Sequence, residues 1–298
     1  VRILVTGGTG FIGEALLPVL KSAGHELVVL TRQKGVTGRW AEYVNELDAI
    51  SDPIDAVINL AGASLAGKRW TERYKAEIVA SRVRFTDELV HWMGRQEAPP
   101  QTLISGSAIG YYGEGDQDSP FTEESPGGAG FAASLCEQWE SAAQLAEQFG
   151  TRIVTLRLGV VLGRGGGALT ELLRSFQFGV GSWPGDGYQI LSWVHRSDVV
   201  SAIEFLLAHG ELSGPFNVTA PQPVSYREFA EIAASRKRVL LKLGLPSVMA
   251  KLLLGEMAEE LLLSGQKVLP MRLQAAGFDF RFESLDSAFV DLISRSGQ

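Results

Sequence analysis

The sequence predicts an α/β fold of the Rossmann type, a doubly wound parallel sheet with a small, mainly helical C-terminal lobe. Short β-branched or Leu-rich runs alternate with longer helical patterns through the first two thirds of the chain, as βαβ units feeding a parallel sheet do. A glycine-rich turn follows the first of those runs directly. From Pro221 onward the alternation gives way to short helical patterns broken by Pro246, Gly255 and Pro270.

Taken in order, the predicted strands are Arg2 to Thr6, Leu27 to Thr31, Ala56 to Leu60, Thr102 to Ser105, Arg152 to Leu158 and Phe216 to Thr219. Predicted helices lie between them at Ile12 to Ala23, Arg73 to Gly94, Ala132 to Phe149 and Ser197 to Ala208. Ser197 is the expected N-cap of the last, its hydroxyl satisfying a first-turn amide while Asp198 complements the dipole. The stretch Gly163 to Gly167 leaves the sheet, and a helix from about Ala168 to Phe178 follows. Residues 1–165 and 194–220 are therefore assigned to the dinucleotide-type domain, and 166–193 and 221–298 to the small lobe. No alternating strands are expected in that lobe after Pro221. Lys242, Lys251, Glu256, Glu259 and Glu260 interrupt the apolar stretch Leu240 to Leu263, which reads as core-facing helices and not as a membrane span. No fixed-period repeat is evident.

With 298 residues, 45% hydrophobic and 20% charged, the chain can bury a sizeable core. Its net charge of -7 offers no basic surface for nucleic acid. The single cysteine, Cys136, excludes an internal disulfide and fits a buried apolar filler in a reducing compartment. The sequence opens on a strand-like run with no export signal, so a cytoplasmic location is expected, with no membrane partner. No HExxH, CxxC or carboxylate ladder suggests a metal.

The turn TGGTGFIG places Gly7, Gly10 and Gly13 three apart between a strand and a helix. Gly7 permits the tight turn, Gly10 allows backbone to approach a pyrophosphate, and Gly13 lets helix and strand pack closely. Unpaired helix N–H groups and the positive dipole end then face the phosphates. A glycine turn without ligand is the alternative, but the flanking strand and helix supply the context the motif requires. At the end of the second strand stand Thr31, Arg32, Gln33 and Lys34, with no carboxylate until Glu42. An Asp or Glu there would read the ribose 2′-OH of NAD, whereas Arg32 suits the 2′-phosphate of NADP. The competing reading is a solvated Arg–Lys pair on a surface loop.

With this turn, NLAG at Asn59 to Gly62 and WVHRSD at Trp193 to Asp198, the chain resembles the extended short-chain dehydrogenase/reductases. It is most similar to their atypical SDR39U1/YfcH-like branch of epimerase family proteins. That closer resemblance rests on KRW at Lys68 to Trp70, Ser81–Arg82, ISGSAIGYYG at Ile104 to Gly113 and LCEQWE at Leu135 to Glu140. It rests also on RLGVVLGRGGG at Arg157 to Gly167 and GQKVLPMRLQAAGF at Gly265 to Phe278. The resemblance implies an NADP(H) cofactor touching Gly7, Thr9, Gly10, Phe11, Ile12 and Gly13, then Thr31 and Arg32, then Leu60, Ala61 and Gly62. It further implies Glu77 and Arg82 reaching in from the following helix, Ser105 at its strand, and Val161 near the nicotinamide. A simple helical ion pair between Glu77 and Arg82 is the alternative.

Reductases of this superfamily pair a Tyr with a Lys four residues later and a Ser on the preceding strand. Ser107 matches the Ser, yet no Tyr in the chain is followed by Lys at the fourth position. The register suggested by Trp139 and Glu140 puts Phe131 and Leu135 where the pair should be, and neither exchanges a proton. Two readings follow. In one the chain is an oxidoreductase on a small carbonyl or hydroxyl substrate, with Tyr111, Tyr112 or His195 carrying the proton. In the other it is a catalytically silent NADPH-binding regulatory or interaction protein, in line with the cell-division label some relatives have carried. Trp183, Pro184, Tyr188 and Trp193 flank a glycine-rich segment and form either a substrate wall or packing between the lobes.

Overall fold

Ile3, Leu4 and Val5 are completely buried, so the run that contains them needs cover on both faces, as a central parallel strand has. The computed structural model describes residues 1–115, 119–237 and 239–293. Its strands are β1 (Arg2–Thr6), β2 (Glu26–Leu30), β3 (Glu42–Val44), β4 (Ala56–Asn59), β5 (Thr102–Ala108), β6 (Arg152–Leu158) and β7 (Val160–Leu162). They continue as β8 (Val180–Pro184), β9 (Ile190–Leu191), β10 (Trp193–His195), β11 (Gly214–Val218), β12 (Val224–Ser225) and β13 (Leu241–Leu245). Seven form one sheet in the order β11-β6-β5-β4-β1-β2-β3, and its pairings are parallel. The chain winds outward from β1 in one direction and from β4 in the other, which makes the crevice beyond their C-terminal ends the ligand position of a doubly wound sheet.

The helices are α1 (Gly13–Ser22), α2 (Glu72–Val79), α3 (Phe85–Gly94), α4 (Phe131–Gln144), α5 (Gly167–Leu172) and α6 (Arg196–Ala208). The lobe adds α7 (Tyr226–Arg236), α8 (Ser247–Leu254), the one-turn α9 (Glu256–Ala258), α10 (Met271–Ala275) and α11 (Leu285–Leu292). Leu16, Leu20, Val199 and Ile203 of α1 and α6 cover one sheet face. Leu89, Trp92, Met93 and Ala143 of α3 and α4 cover the other. A separate core holds the lobe, with Phe229 and Phe289 edge to face at 5.3 Å between ring centres.

The helix expected over Arg73 to Gly94 is interrupted by a five-residue π-helical turn, Ala80–Arg84. That extra residue rotates the ladder locally, a device often found at functional sites, and it turns Arg82 inward. The N-cap of α6 is His195, not Ser197: His195 Nδ1 accepts the Ser197 backbone N–H at 3.1 Å and the Ser197 hydroxyl at 2.6 Å. Asp198 serves a longer-range purpose, accepting the N–H groups of Arg281 and Phe282, each at 3.0 Å.

Two expectations for the lobe are corrected. Strands do occur after Pro221, because β12 pairs with β9 and β13 with β8; local periodicity cannot show a partner that lies roughly thirty or sixty residues upstream in the chain. The stretch from Leu240 is not core-facing at its start, since Leu240, Val248 and Leu252 are 92%, 78% and 76% exposed. The segment after Gly265 is strapped to the main sheet, where Asn217 Nδ2 donates to Leu269 O, the Thr219 hydroxyl to Val268 O, and Arg272 Nη1 to Pro215 O.

Candidate functional site

The glycine turn lies at the crevice between β1 and β4. Gly7 adopts φ 71°, and a Cβ there would stand 2.5 Å from Leu60 O and 2.9 Å from Ala61 N, so Leu60 and Ala61 approach the turn only because Gly7 has no side chain. A Cβ on Gly13 would meet Gly7 O at 2.3 Å. Gly10 N–H closes the turn on Gly7 O at 2.9 Å. Ile12 caps α1 without any side-chain hydrogen bond and Glu14 N–H turns back to Gly10 O at 2.9 Å, so among the described residues the N–H groups of Phe11, Ile12 and Gly13, next to Thr9, are those without a backbone acceptor and available to an anion. The Phe11 ring seats itself where side chains on Gly163 and Gly167 would collide with it, at 2.8 and 2.6 Å. Arg196 lies 4.6 Å over the same ring.

Beyond β2, Thr31 is buried and Arg32 is exposed. Asn45 Nδ2 donates to the carbonyls of Thr31 (2.6 Å) and Gln33 (3.1 Å) and so fixes the backbone on both sides of Arg32. Arg82 is 9% exposed and its guanidinium carbon sits 5.3 Å from the Trp139 ring. A Cβ on Gly62 would stand 2.9 Å from that carbon. No carboxylate lies within ion-pair distance of Arg82 among the described residues. Burial pushes its pKa below the ordinary guanidinium value, with Cys136 and Tyr74 acting in the opposite direction. Glu77 pairs with Lys68 at 3.8 Å and not with Arg82.

A buried polar chain forms the floor. The Thr6 hydroxyl donates to Asn59 Oδ1 (2.7 Å), and Asn59 Nδ2 and Trp139 Nε1 both donate to Thr86 Oγ1 (2.9 and 3.0 Å). Ser105 is buried within β5 beside Asn59. Ser107 is also buried and donates its proton to Glu140 Oε1 at 2.7 Å. Glu140 receives Arg157 in a two-pronged pair, Nε to Oε1 at 2.9 Å and Nη2 to Oε2 at 2.8 Å. Arg157 Nη1 donates to the Tyr112 hydroxyl at 3.0 Å, and that hydroxyl donates to Asn217 Oδ1 at 2.7 Å.

These contacts divide the proton-carrying candidates. Tyr112, 1% exposed with its hydroxyl engaged twice, is part of the network, and burial raises its pKa against the opposing pull of Arg157 and Asn217. His195 is buried as a helix cap; burial lowers its pKa, opposed by Asp291, whose Oδ2 is 3.4 Å from Nε2. Tyr111 alone is half-exposed, its ring 3.5 Å from the Arg157 guanidinium carbon. Burial pushes the Cys136 thiol up to about 11, consistent with an inert filler.

Phe131 and Leu135 pack into an apolar cluster with Trp70, Ile78, Met257 and Leu261. Glu260 closes this cluster from the lobe by accepting the N–H groups of Phe131 (2.9 Å) and Ala132 (2.8 Å) at the start of α4. Of the aromatic wall, Trp193 is core, its Nε1 donating to Gln222 O. Tyr188 projects, 56% exposed. Val161 sits in β7 beside Val194 of β10. No role was expected for Glu140, Arg157, Thr86, Asn45 or Glu260 in this site. Of these, Arg157 alone carried a local signal, a charge set between the leucines of a strand.

The family model described as "NAD dependent epimerase/dehydratase family" matches residues 3–219, and one described as "Domain of unknown function (DUF1731)" matches 245–292. An epimerase family protein of Mycobacterium bovis is 36% identical over 300 residues, covering 99% of this chain and 98% of its own. One from Staphylococcus aureus is 37% identical over 303 residues, covering 99% of each. Among solved structures, human epimerase family protein SDR39U1 (isoform 2) with NADPH has a TM-score of 0.88 at 34% identity, covering 99% of this chain and all of that one (100%). UDP-glucose 4-epimerase of Thermus thermophilus in complex with NAD shares the fold, with a TM-score of 0.80 at 19% identity over 99% of this chain and 98% of that one.

Proposed function

We propose that this chain, which belongs to the NAD dependent epimerase/dehydratase family, binds NADP(H) in the crevice between β1 and β4 and uses it in redox chemistry on a small carbonyl or hydroxyl substrate. The observation that carries the reading is Arg82, a buried cation in the crevice with no acidic partner among the described residues. A buried charge without compensation is costly, so an anionic ligand fits it better than an empty cleft does. The uncapped N–H groups of the turn, the glycines that clear a path past Leu60, and Arg32 held between two anchored carbonyls support the same ligand. The human relative with NADPH agrees with it.

When bound, NADP(H) supplies or accepts a hydride at its nicotinamide. Ser107 gives its own proton to Glu140, so any further hydrogen bond at its oxygen is one it accepts. Tyr111 is the hydroxyl left to carry a proton, its ring held against Arg157. Phe131 and Leu135, sealed under the lobe, exclude water and take no part in proton transfer.

Titration with NADPH and NADH tests the binding. Arg32→Ala should weaken NADPH by about 10- to 100-fold, the worth of charge-assisted hydrogen bonds to a phosphate, and leave NADH nearly unchanged. Equal losses would remove the 2′-phosphate role. Oxidation of NADPH against a carbonyl panel, lost in Tyr111→Phe with binding retained, is the expected sign of turnover. The burial of the Tyr112 hydroxyl, the capping role of His195 and the apolar seal at Phe131 favour a second reading, in which NADP(H) is a sensing or structural ligand. Tight binding with no oxidation across the panel would select it.

A further inference from the structure

Between Arg236 and Gly255 the chain carries Arg236, Lys237, Arg238, Lys242 and Lys251 and no Asp or Glu, although the net charge of the protein is -7. The same stretch exposes Leu240, Leu241, Leu243, Val248, Met249 and Leu252. In α8, Val248, Met249 and Leu252 fall at i, i+1 and i+4 and share one face, while Ala250 on the other side is completely buried. The helix thus turns an apolar face to solvent, the reverse of an ordinary surface helix. Joined to it through Pro246, β13 pairs with β8 and leaves Leu241 and Leu243 exposed.

The charges around this face are not balanced locally. Of the acids that follow it, Glu256 pairs with Lys75, Glu259 with Lys251, and Glu260 caps α4. Arg236 pairs with Asp286. Lys237 and Lys242 have no ion-pair partner among the described residues. An exposed apolar segment that carries five basic residues and no acidic one matches a negatively charged lipid surface, with Leu, Val and Met side chains at the acyl boundary and long basic side chains reaching to the phosphates. A second copy of this chain fits less well, because a two-fold contact would bring this basic, acid-free segment against the same segment of the other copy.

We infer that the outer face of β13 and α8 docks the protein peripherally on an anionic bilayer. Attachment is superficial, since no helix among the described residues is long and apolar enough to cross a membrane. The inference departs from the expectation of no membrane partner, and it stands independently of the cofactor reading.

Sedimentation of the full chain with phosphatidylcholine vesicles, with and without phosphatidylserine, is the test. Pelleting with phosphatidylserine vesicles, little with pure phosphatidylcholine, and release at high salt are expected. Replacing Val248 and Leu252 together by Ser should abolish pelleting, and each of Lys237→Ala and Lys242→Ala should weaken it about fivefold. Unchanged circular dichroism and NADPH titration would show that these variants fold. Wild-type protein remaining in the supernatant with phosphatidylserine vesicles would overturn the inference, as would equal binding to uncharged vesicles. Self-association abolished by the Val248/Leu252 variant, without vesicle binding, would assign the face to a second copy instead.

Discussion

Replacing Glu140 by Gln removes one charge from the floor of the crevice while keeping its volume. The side chains of Arg157 and Glu140 are 5% and 8% exposed, and both carboxylate oxygens hold Arg157 while one also accepts Ser107. Burial by itself would lower the Arg157 pKa, but the hydrogen bonds and charge of Glu140 outweigh it and hold the guanidinium firmly protonated. A glutamine offers one acceptor oxygen and turns an N–H2 toward a group that can only donate. Arg157 is then left charged, buried and half-bonded, at a cost of about 3–5 kcal/mol. Against a total stability of about 5–15 kcal/mol, that is a large share. Thermal unfolding should fall by roughly 5–8 °C for a chain of this length, and urea unfolding should shift its midpoint at unchanged slope. Removing both charges, with Glu140→Leu and Arg157→Met together, should recover much of the loss, because a buried pair replaced by apolar groups of similar size is often near neutral. A loss below about 1 kcal/mol for Glu140→Gln would refute the reasoning, since that is what a solvated pair is worth.

Gly13→Ala would drive a Cβ into backbone at Gly7 O (2.3 Å) and Gly8 Cα (2.5 Å), so the turn must open; an overpacking cost of about 1–3 kcal/mol predicts NADPH affinity lower by roughly 5- to 100-fold, checked by fluorescence titration. Restoring the missing pair by Phe131→Tyr with Leu135→Lys should lower the melting temperature without raising NADPH oxidation, because Leu135 is 3% exposed among apolar neighbours and a lysine there costs several kcal/mol. His195 has a folded-state pKa depressed chiefly by burial. The unfolded chain therefore takes up its proton first, and the contribution of His195 is present above about pH 6.5 and is lost as pH falls through the folded-state value. Melting temperatures between about pH 7 and pH 5 should fall less steeply in His195→Asn than in the wild type; parallel profiles would count against this account.

The residues from Arg2 to Gly13 made the sheet and the phosphate turn legible because each requirement there is local: an apolar strand, a positive φ at Gly7, and a close approach at Gly13 satisfied within a few residues of chain. The absent Tyr–Lys pair was legible as well, being a matter of residue type at fixed spacing. Tertiary structure alone decided what the polar residues do. Ser107, Tyr112 and Asn217 lie as much as a hundred residues apart, and their hydrogens were assigned by partners on β6, α4 and β11 that no window of sequence contains. The inward turn of Arg82 came from a π-helical turn that periodicity smooths over. The same limit governs the stretch from Leu240. Its apolar pattern requires burial of one face, but which face meets the core depends on where β13 finds β8, and that pairing leaves Leu240, Val248 and Leu252 outside. Local sequence determines backbone conformation and the chemistry available, whereas burial and hydrogen-bond partnership belong to contacts between distant segments and exist only once the chain has folded.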